Sequence, residues 1–590
     1  MKQFFKMMFA SALGVFITLG FLMLIWFIML FSMISSFSSP SERIPRSDEK
    51  VLLLSLTGSL TEVSNDSPFN MLISQKKSPS LKDVLDAIEI AKEHKQIEGI
   101  YLDISSLSTG TASVDAIRRA LIDFKESGKF VVAYADNYTQ NGYFLASVAN
   151  KVFMNPQGAL ALTGFATQKT FYKGIMKKMG IEMLVFKVGT FKGAVEPYML
   201  DKLSDANREQ IASYQQGIWK NVVCNISSAR NITIDQINDF ADKGLMFSPA
   251  QQTVEYGLVD ELNYKEEATK YVKGLVGADL KKNLKAVDAS SIKGLKKKNP
   301  LAKGDRIAVI YAEGEIISSD LVSPYNNENV ITEKLADELI KLKRDDKVKA
   351  VVLRVNSPGG SGYVSEQIWK QVNDLKNEKK IVVSMGNVAA SGGYYIACGA
   401  DKIIAEANTL TGSIGVFGLF PNATELFNKL DLTTDVVKTN TYGDFGDVSR
   451  PMRDDEKALM QRYIENFYDV FITRCADGRG MTKEEIDLVG QGRVWTGEQA
   501  LERGLVDELG DLECAVKVAA ELAGLDTYQV KTVSGSSDPI MEFLKKQIGD
   551  VKSSILQDAL GDDYELFNGM RAIRRMSGIQ ARLPFDMEIL

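Results

Sequence analysis

Residues 381–406 have the sequence IVVSMGNVAASGGYYIACGADKIIAE, and residues 130–155, FVVAYADNYTQNGYFLASVANKVFMN, align with them at a constant offset of 251 positions. The alignment places Tyr143 opposite Tyr394 and continues without a gap as far as Gly415. Chance does not keep two segments in register over this length. The chain therefore contains an ancestral internal duplication, and its two halves can be compared position by position.

The segments around this repeat alternate between short strands and helices. IAVIYAEG (307–314), AVVLRVNS (350–357) and KIVVSMG (380–386) are brief, apolar and bounded by Gly or polar residues, as buried strands are. Between the last two, SEQIWKQVNDLKN (365–377) carries apolar residues at helical spacing. The alternation predicts an α/β fold of tandem βαβ repeats, with mostly parallel sheets and ligands at the carboxyl ends of the strands.

The length and the repeat together predict more than one domain. A single core rarely grows beyond about 250–300 residues, and the chain has 590. GLVDEL also occurs twice, at 257–262 and 504–509, near the end of each half. We predict a cytoplasmic N-terminus at 1–6, a transmembrane anchor at 7–36, a linker at 37–50, a first repeat domain at 51–280, a solvated lysine-rich linker at 281–306, a second repeat domain at 307–530, and a tail of undefined role at 531–590.

The N-terminal segment has the composition of a membrane span. No charged residue occurs between Lys6 and Glu42, and residues 10–34 are almost continuously apolar. A helix needs about 20 such residues to cross the bilayer core. A cleaved signal peptide is the alternative, but its apolar region is usually only about 7–15 residues long. Because Lys2 and Lys6 precede the span, we expect the N-terminus in the cytoplasm and the rest of the chain on the other side of the membrane.

Composition excludes several classes of function. The net charge of −6 argues against a generic nucleic-acid binder, which needs a basic surface. The four cysteines include no CxxC pair, so neither a disulfide framework nor a zinc site is expected. The one histidine, His94, lies in the charged stretch AKEHKQ, which indicates a solvated helix end. A Ser-His-Asp triad and any multi-histidine metal site are therefore improbable.

Two glycine-rich elements of the second half follow strands. Residues 356–361 are NSPGGS and residues 390–395 are ASGGYY, and each precedes a helix. Paired glycines let the backbone approach a ligand closely, and a serine at a helix N-terminus lies where the dipole favours negative charge. Together they could supply a nucleophile and an oxyanion hole. Tight turns are the alternative for either element alone, whereas phosphate-binding glycine motifs are absent.

The two halves differ at the positions where such chemistry would take place. Ser391 corresponds to Gln140 in the first half, and SPGG corresponds to SLST at 106–109. Conversely, Lys192 corresponds to Gly443 in the second half. A Ser-Lys dyad is an alternative to histidine for activating a hydroxyl, provided that burial lowers the lysine pKa by about 3–5 units. A surface position is the competing interpretation of Lys192.

These residues lie in motifs that resemble the signal peptide peptidase A family in its long, two-repeat form. The motifs are VFKVGTFKGAVEPY, RVNSPGGSGYVSEQI, NVAASGGYYIACGADKI and TLTGSIGVFG. The resemblance implies a fold related to Clp protease and crotonase, with Ser391 as nucleophile and Lys192 as general base. It further implies that Ser413 orients the lysine and that Gly359 and Gly360 supply oxyanion-hole amides. No metal and no organic cofactor would be required.

The same resemblance sets expectations for the setting of the enzyme. Members of the family are single-pass proteins of the bacterial cytoplasmic membrane, with the catalytic body on the periplasmic side. They act as homotetramers on apolar signal-peptide remnants, and the anchor keeps them in contact with membrane lipid. A crotonase-like acyl-CoA enzyme and a catalytically inert membrane scaffold are the alternatives. Sequence leaves open whether Lys192 reaches Ser391 within its own chain.

Overall fold

The structure is a computed structural model that describes residues 6, 13–25, 45–64, 79–295, 304–322, 329–533 and 579–583. Residues 13–25, within the predicted anchor, are helical. The remainder of the predicted span, residues 7–12 and 26–36, lies outside the described residues. In the part of the chain that is described, no helix is both long and apolar enough to cross a membrane.

Seven strands of the first half lie among the described residues. They are β1 (Val51–Gly58), β2 (Gly99–Leu107), β3 (Phe130–Ala135), β4 (Lys151–Met154), β5 (Glu182–Val188), β6 (Glu261–Leu262) and β7 (Ala286–Asp288). All except β5 form one sheet in the order β6-β4-β3-β2-β1-β7, and every pair in it is parallel. This order confirms the predicted βαβ pattern, because parallel neighbours require crossover connections.

Helices cover both faces of this first sheet. In chain order they are α1 (Leu81–Glu93), α2 (Thr111–Glu126), α3 (Gln140–Ala146), α4 (Lys173–Met179), α5 (Glu196–Met199), α6 (Asp205–Arg230), α7 (Ile234–Asp242), α8 (Gln251–Glu255) and α9 (Lys265–Leu275). The apolar sides of α1, α2 and α6 contribute to the main core, while α9 packs on the opposite face of the sheet. Burial on both faces explains the near-continuous apolar strands of the sequence. α1 ends before His94, its C-cap residue, as the charged stretch predicted.

The second half repeats this plan with additional strands. They are β8 (Arg306–Glu313), β9 (Glu315–Ile316), β10 (Val330–Ile331), β11 (Val348–Ser357), β12 (Gly359–Ser361), β13 (Lys380–Ala390), β14 (Lys402–Ala405), β15 (Leu410–Gly412), β16 (Val416–Asn422), β17 (Val494–Thr496), β18 (Glu508–Leu509), β19 (Gln529–Val533) and β20 (Ile579–Arg582). Within the described chain, the main sheet has the order β17-β15-β13-β11-β8-β19, and β14 pairs with β13 on one side and with β18 on the other. It is parallel except for the pair of β15 and β17.

Helices again enclose the second sheet. They are α10 (Lys334–Arg344), α11 (Gly362–Lys376), α12 (Gly392–Ala397), α13 (Thr424–Lys429), α14 (Asp454–Arg479), α15 (Lys483–Val489), α16 (Gly497–Glu502) and α17 (Leu512–Leu522). α17 packs on one face, as α9 does in the first half, and α11, α12 and α14 pack on the other. The predicted strands at 307–314, 350–357 and 380–386 and the predicted helix at 365–377 are all present, although β13 continues four residues farther, to Ala390.

The lysine-rich segment 281–306 corrects one prediction. We predicted a solvated linker, but Ala286–Asp288 extends the first sheet beside β1, and β8 begins at Arg306. Val287 and Ile292 are buried in the first core. Two apolar side chains within a polar segment were enough to anchor it, because a sheet edge offers unpaired backbone groups to any adjacent extended chain.

A third sheet joins the two halves. Its order is β10-β9-β12-β20-β16-β5 within the described residues, so that a first-half strand forms one edge of a sheet otherwise built by the second half. β5 and β16 pair antiparallel over seven positions, from Val416 opposite Val188 to Asn422 opposite Glu182. This pairing fixes the position of the chain that follows β5 relative to the second repeat.

A buried ion pair also connects the halves. Arg354, on β11, lies with its Nε atom 3.0 Å from the Oε2 atom of Glu62, which follows β1 in the first half. The two side chains are only 3% and 4% exposed. Arg354 additionally donates hydrogen bonds to the Ser384 hydroxyl and the Met385 carbonyl. Burial of a charged pair is compensated only when the pair is well hydrogen-bonded, as it is here.

Removing one partner of this pair should destabilise the protein strongly. Glu62→Gln leaves the Arg354 charge buried without its carboxylate, and the free energy of unfolding in urea should fall by about 3–5 kcal/mol. The double variant Glu62→Leu/Arg354→Met should recover much of that loss, because it removes both charges. Glu513→Gln, which breaks the exposed pair with Lys517, is the matched control and should have little effect. Equal effects of Glu62→Gln and Glu513→Gln would contradict the prediction.

Candidate active site

Ser391 lies at the junction between a strand and a helix. β13 ends at Ala390, and α12 begins at Gly392, so Ser391 is the N-cap residue of α12. Its backbone has φ 55° and ψ −112°, a conformation that residues with a side chain rarely adopt. The Ser391 amide donates a hydrogen bond of 2.8 Å to the Gly412 carbonyl, and its own carbonyl accepts one from the Tyr395 amide. These contacts hold the buried hydroxyl at the carboxyl end of a central strand.

Lys192 reaches this serine from the first half of the same chain. It follows β5 by four residues and precedes a short 3-10 turn at Gly193–Val195. Its Nζ atom lies 2.7 Å from Ser391 Oγ and 3.0 Å from both the hydroxyl and the carbonyl oxygen of Ser413. The structure thus brings together three residues that the sequence singled out, and it does so within one chain.

The lysine is completely buried, with an exposed fraction of 0%. Among the described residues, no carboxylate forms an ion pair with it. Burial therefore lowers the pKa of Lys192 well below its usual value of about 10.4. A lowered pKa favours the neutral amine, which is the state that can accept a proton.

Two glycines provide the space for this side chain. A methyl group at Gly492 would lie 2.7 Å from the Lys192 amide nitrogen and 2.8 Å from its Cβ atom, and one at Gly415 would lie 3.3 Å from its Cδ atom. Gly492 also has φ +78°, which favours glycine. The repeat alignment contained Gly415 but gave no reason to connect it with the lysine, and Gly492 was not identified. Larger residues at either position would displace Lys192.

The side chain of Gln210 holds the loop that carries Lys192, residues 189–192, against the second half. Gln210, on α6, donates from Nε2 to the Phe191 carbonyl at 2.8 Å and accepts at Oε1 from the Val494 amide at 3.0 Å. The Phe191 amide in turn donates to the Gln491 carbonyl. Gln210 therefore bridges the residue before Lys192 and a strand of the second repeat. A glutamine within a mixed helical segment carries no sequence signal of this role.

Ser413 and the two predicted oxyanion glycines complete the site. Ser413 has φ 51°, and its amide donates to the Arg493 carbonyl at 2.7 Å, which turns its hydroxyl toward Lys192. Gly359 and Gly360 form the start of β12 with φ values of +93° and +150°. A methyl group at Gly359 would lie 2.6 Å from the amide nitrogen of Gly392. Gly392 directly follows Ser391 and belongs to the glycine-rich element at 390–395, but the sequence comparison assigned the oxyanion amides to Gly359 and Gly360 alone.

In the first half, the position that corresponds to Ser391 is occupied by Gln140. Gln140 begins α3, and its side-chain oxygen accepts hydrogen bonds from the amides of Thr163 and Gly164 at 3.2 and 2.9 Å. An amide side chain therefore satisfies backbone donors at the position where the second half has its serine. The first repeat keeps the scaffold without the nucleophile, as the repeat comparison predicted.

Two protein families match the chain. The profile of Peptidase family S49 matches residues 123–279 and again residues 373–526. The Clp protease profile matches residues 307–411. The two S49 matches fall on the two halves of the duplication, and together they cover more than half of the chain. They confirm the expected repeat and the expected relation to Clp protease.

Individual relatives agree with this assignment. Protease 4 of Salmonella typhi is 36% identical over 485 residues, which cover 81% of this chain and 77% of that protein. The chloroplastic serine protease SPPA of Arabidopsis thaliana is 30% identical over 94% of this chain and 80% of its own. A putative signal peptide peptidase SppA of Enterococcus faecium is 38% identical over 32% of this chain and 55% of its own. The chain therefore belongs to peptidase family S49 and is a serine protease.

Proposed function

We propose that this chain is a membrane-anchored serine endopeptidase that degrades cleaved signal peptides, with Ser391 and Lys192 as its catalytic dyad. The observation that carries the proposal is the 2.7 Å distance between the Ser391 hydroxyl and a buried, uncompensated lysine amine. A neutral amine has two N–H groups and one lone pair. The carbonyl and hydroxyl oxygens of Ser413 can accept the two N–H groups, which leaves the lone pair directed at Ser391.

The first chemical step is acyl transfer to the serine. Lys192 Nζ takes the hydroxyl proton of Ser391 as Oγ attacks the carbonyl carbon of the scissile peptide bond. The resulting ammonium group keeps Ser413 as hydrogen-bond acceptor, so the new charge is not left without partners. Backbone amides in the loop of Gly359 and Gly360, together with that of Gly392, are the donors for the developing oxyanion.

The second step releases the products and restores the dyad. The Lys192 ammonium returns its proton to the leaving amine as the C–N bond breaks, and an ester remains on Ser391. Lys192 then removes a proton from water, which attacks the ester. As the bond between the acyl carbon and Ser391 Oγ breaks, Lys192 returns this proton to Oγ and the carboxylate product is freed. The sequence of steps requires no metal ion and no organic cofactor.

The N-terminal sequence and the relatives support the proposed substrate and setting. An apolar N-terminal segment would keep the protease at the bacterial cytoplasmic membrane, with its body on the periplasmic side and its site close to apolar peptides that partition into the bilayer. The printed name of the Enterococcus faecium relative, a putative signal peptide peptidase, supports signal-peptide remnants as substrate. A homotetramer is the assembly expected from the family resemblance.

Loss of either dyad residue should abolish peptide hydrolysis. For the full chain in detergent, acting on an apolar signal-like peptide, Ser391→Ala and Lys192→Ala should each lower kcat/KM by at least about 10⁴-fold, because the two residues act as a unit. Lys177→Ala, which alters an exposed lysine on α4, is the control and should retain parental activity. Substantial activity in either dyad variant would refute the mechanism.

The dependence of kcat/KM on pH should reflect the protonation of Lys192. Because only neutral Lys192 can act as base, kcat/KM should rise with pH, and the midpoint should lie well below 10.4 as a result of the lowered pKa. Ser413→Ala removes an acceptor that stabilises the ammonium form. It should therefore move the midpoint to still lower pH and reduce kcat roughly 10- to 100-fold, since a hydrogen bond to a charged group contributes about 1.5–3 kcal/mol. A profile flat from about pH 5 to 9 in the parent and the variant would argue against Lys192 as the base.

The burial of Lys192 should also affect how the free energy of unfolding depends on pH. Between the lowered pKa of folded Lys192 and the ordinary value of the unfolded chain, unfolding takes up a proton at this residue. The free energy of unfolding should therefore increase with pH across that window. Lys192→Met has no such proton uptake, so its stability relative to the parent should decline as the pH rises through that window toward pH 10. A difference between the two proteins that does not vary with pH would contradict the neutral buried amine.

A further inference from the structure

The groove beside the candidate site holds a strand from the end of the chain. β20 lies between β12 and β16 and runs antiparallel to both of them. Ala581 is opposite Gly360 on one side, and Gln580 is opposite Phe417 on the other. The Leu583 amide adds a hydrogen bond of 2.9 Å to the Pro358 carbonyl. Both edges of the groove are therefore paired with a segment that belongs to the predicted tail.

The strand places a peptide carbonyl beside two glycines of the candidate site. A methyl group built at Gly359 would lie 2.2 Å from the Ala581 carbonyl oxygen, and one built at Gly392 would lie 3.0 Å from the same oxygen. This oxygen thus lies next to Gly359 and to Gly392, the residue that directly follows Ser391. A peptide about to be cleaved needs a carbonyl oxygen at such a position.

The occupant is bound along its length. Ala581 is completely buried, and Gln580 and Leu583 are nearly so. Arg582 forms an ion pair with Glu315 at 2.8 Å, and both of these side chains are largely buried. Ile579 extends the contact at the other end, where it packs near Gly362 and Phe467 on α11 and α14. No second extended peptide can pair with β12 and β16 while this strand is in place.

We propose that Ile579–Leu583 is an internal, substrate-like occupant of the peptide-binding groove, which competes with other peptides for the site. The proposal rests on the proposed function, since it takes Ser391 as the nucleophile next to the groove. Strand addition of this kind provides affinity through main-chain hydrogen bonds and specificity through the side-chain positions. The Ala581 carbonyl oxygen lies beside Gly392, so we assign Ala581 to the position directly before the reacting bond, where the groove accepts a small side chain. Substrate peptides should bind only when β20 has left.

Three full-length or nearly full-length proteins test this competition. The first is the parent, the second ends at Gly578, and the third carries Ala581→Trp, whose ring does not fit at a completely buried alanine. Both variants should show a kcat/KM for an apolar peptide at least about tenfold above that of the parent, because a competing occupant lowers the fraction of sites that can bind. Ala581→Gly keeps the strand small at this position and should resemble the parent.

A synthetic peptide tests the register directly. SGIQARLPF, residues 577–585, should inhibit the protein that ends at Gly578 competitively, whereas the same peptide with tryptophan in place of its alanine should not. Parental kcat/KM in both variants, with the thermal unfolding of the parent retained, would show that β20 is a permanent part of the fold and would overturn the proposal. Equal inhibition by the two peptides would overturn the assigned register.

Labelling of Ser391 separates this proposal from the proposed function. A small fluorophosphonate acylates an activated serine whether or not peptides are substrates. Faster labelling of the two variants than of the parent, without peptide hydrolysis by any of the three proteins, would refute the peptidase proposal and retain the occupied groove. Peptide hydrolysis at equal rates in all three, with equal labelling, would refute the occupied groove and retain the peptidase.

Discussion

The antiparallel pairing of β5 with β16 is the constraint on which the active site depends. Here the backbone N–H and C=O groups of a first-half strand pair with those of a second-half strand. The first-half strand ends only four residues before Lys192. Backbone pairing fixes register to a single residue, because a slip by one position would turn every side chain to the opposite face. A lysine with four rotatable side-chain bonds can thereby be held within hydrogen-bond distance of a serine 199 positions away. The Gln210 bridge and the buried Arg354–Glu62 pair reinforce the same junction.

Burial of Lys192 shows how structure and chemistry are balanced at this site. A buried lysine without a carboxylate partner destabilises a folded protein if it is charged, and burial accordingly lowers the pKa of Lys192. The glycines at 415 and 492 create the narrow space in which this is possible, and Ser413 supplies oxygen partners for its N–H groups. The first repeat, which lacks the serine, contributes the loop that carries the proposed base. Duplication has in this way divided one function between two copies of a scaffold.

Much of this could be predicted from the sequence, and the remainder could not for physical reasons. Short apolar strands and helical periodicity predicted the βαβ repeats, and comparison of the two halves identified Ser391 and Lys192 as unmatched positions. Strand β7 was missed because two apolar side chains in a lysine-rich segment give no periodic pattern. Gln210 and Gly492 were missed because their roles come from contacts between segments far apart in the chain. The third sheet was missed for the same reason, since local patterns do not state which half a strand will join.

The division of the dyad between the halves has a consequence for the synthesis of the protein. Ribosomes make the lysine loop first, but the strand pair that positions it requires residues up to Asn422, and its glycine support requires Gly492. A nascent chain that ends before Ser391 contains Lys192 without its serine. A chain that ends between Ser391 and Gly492 contains both residues but lacks part of the structure that aligns them. Proteolytic competence therefore arises late, when most of the polypeptide has left the ribosome. We therefore expect the nascent chain to be inactive as a protease during the period when unfolded chains are most vulnerable to cleavage.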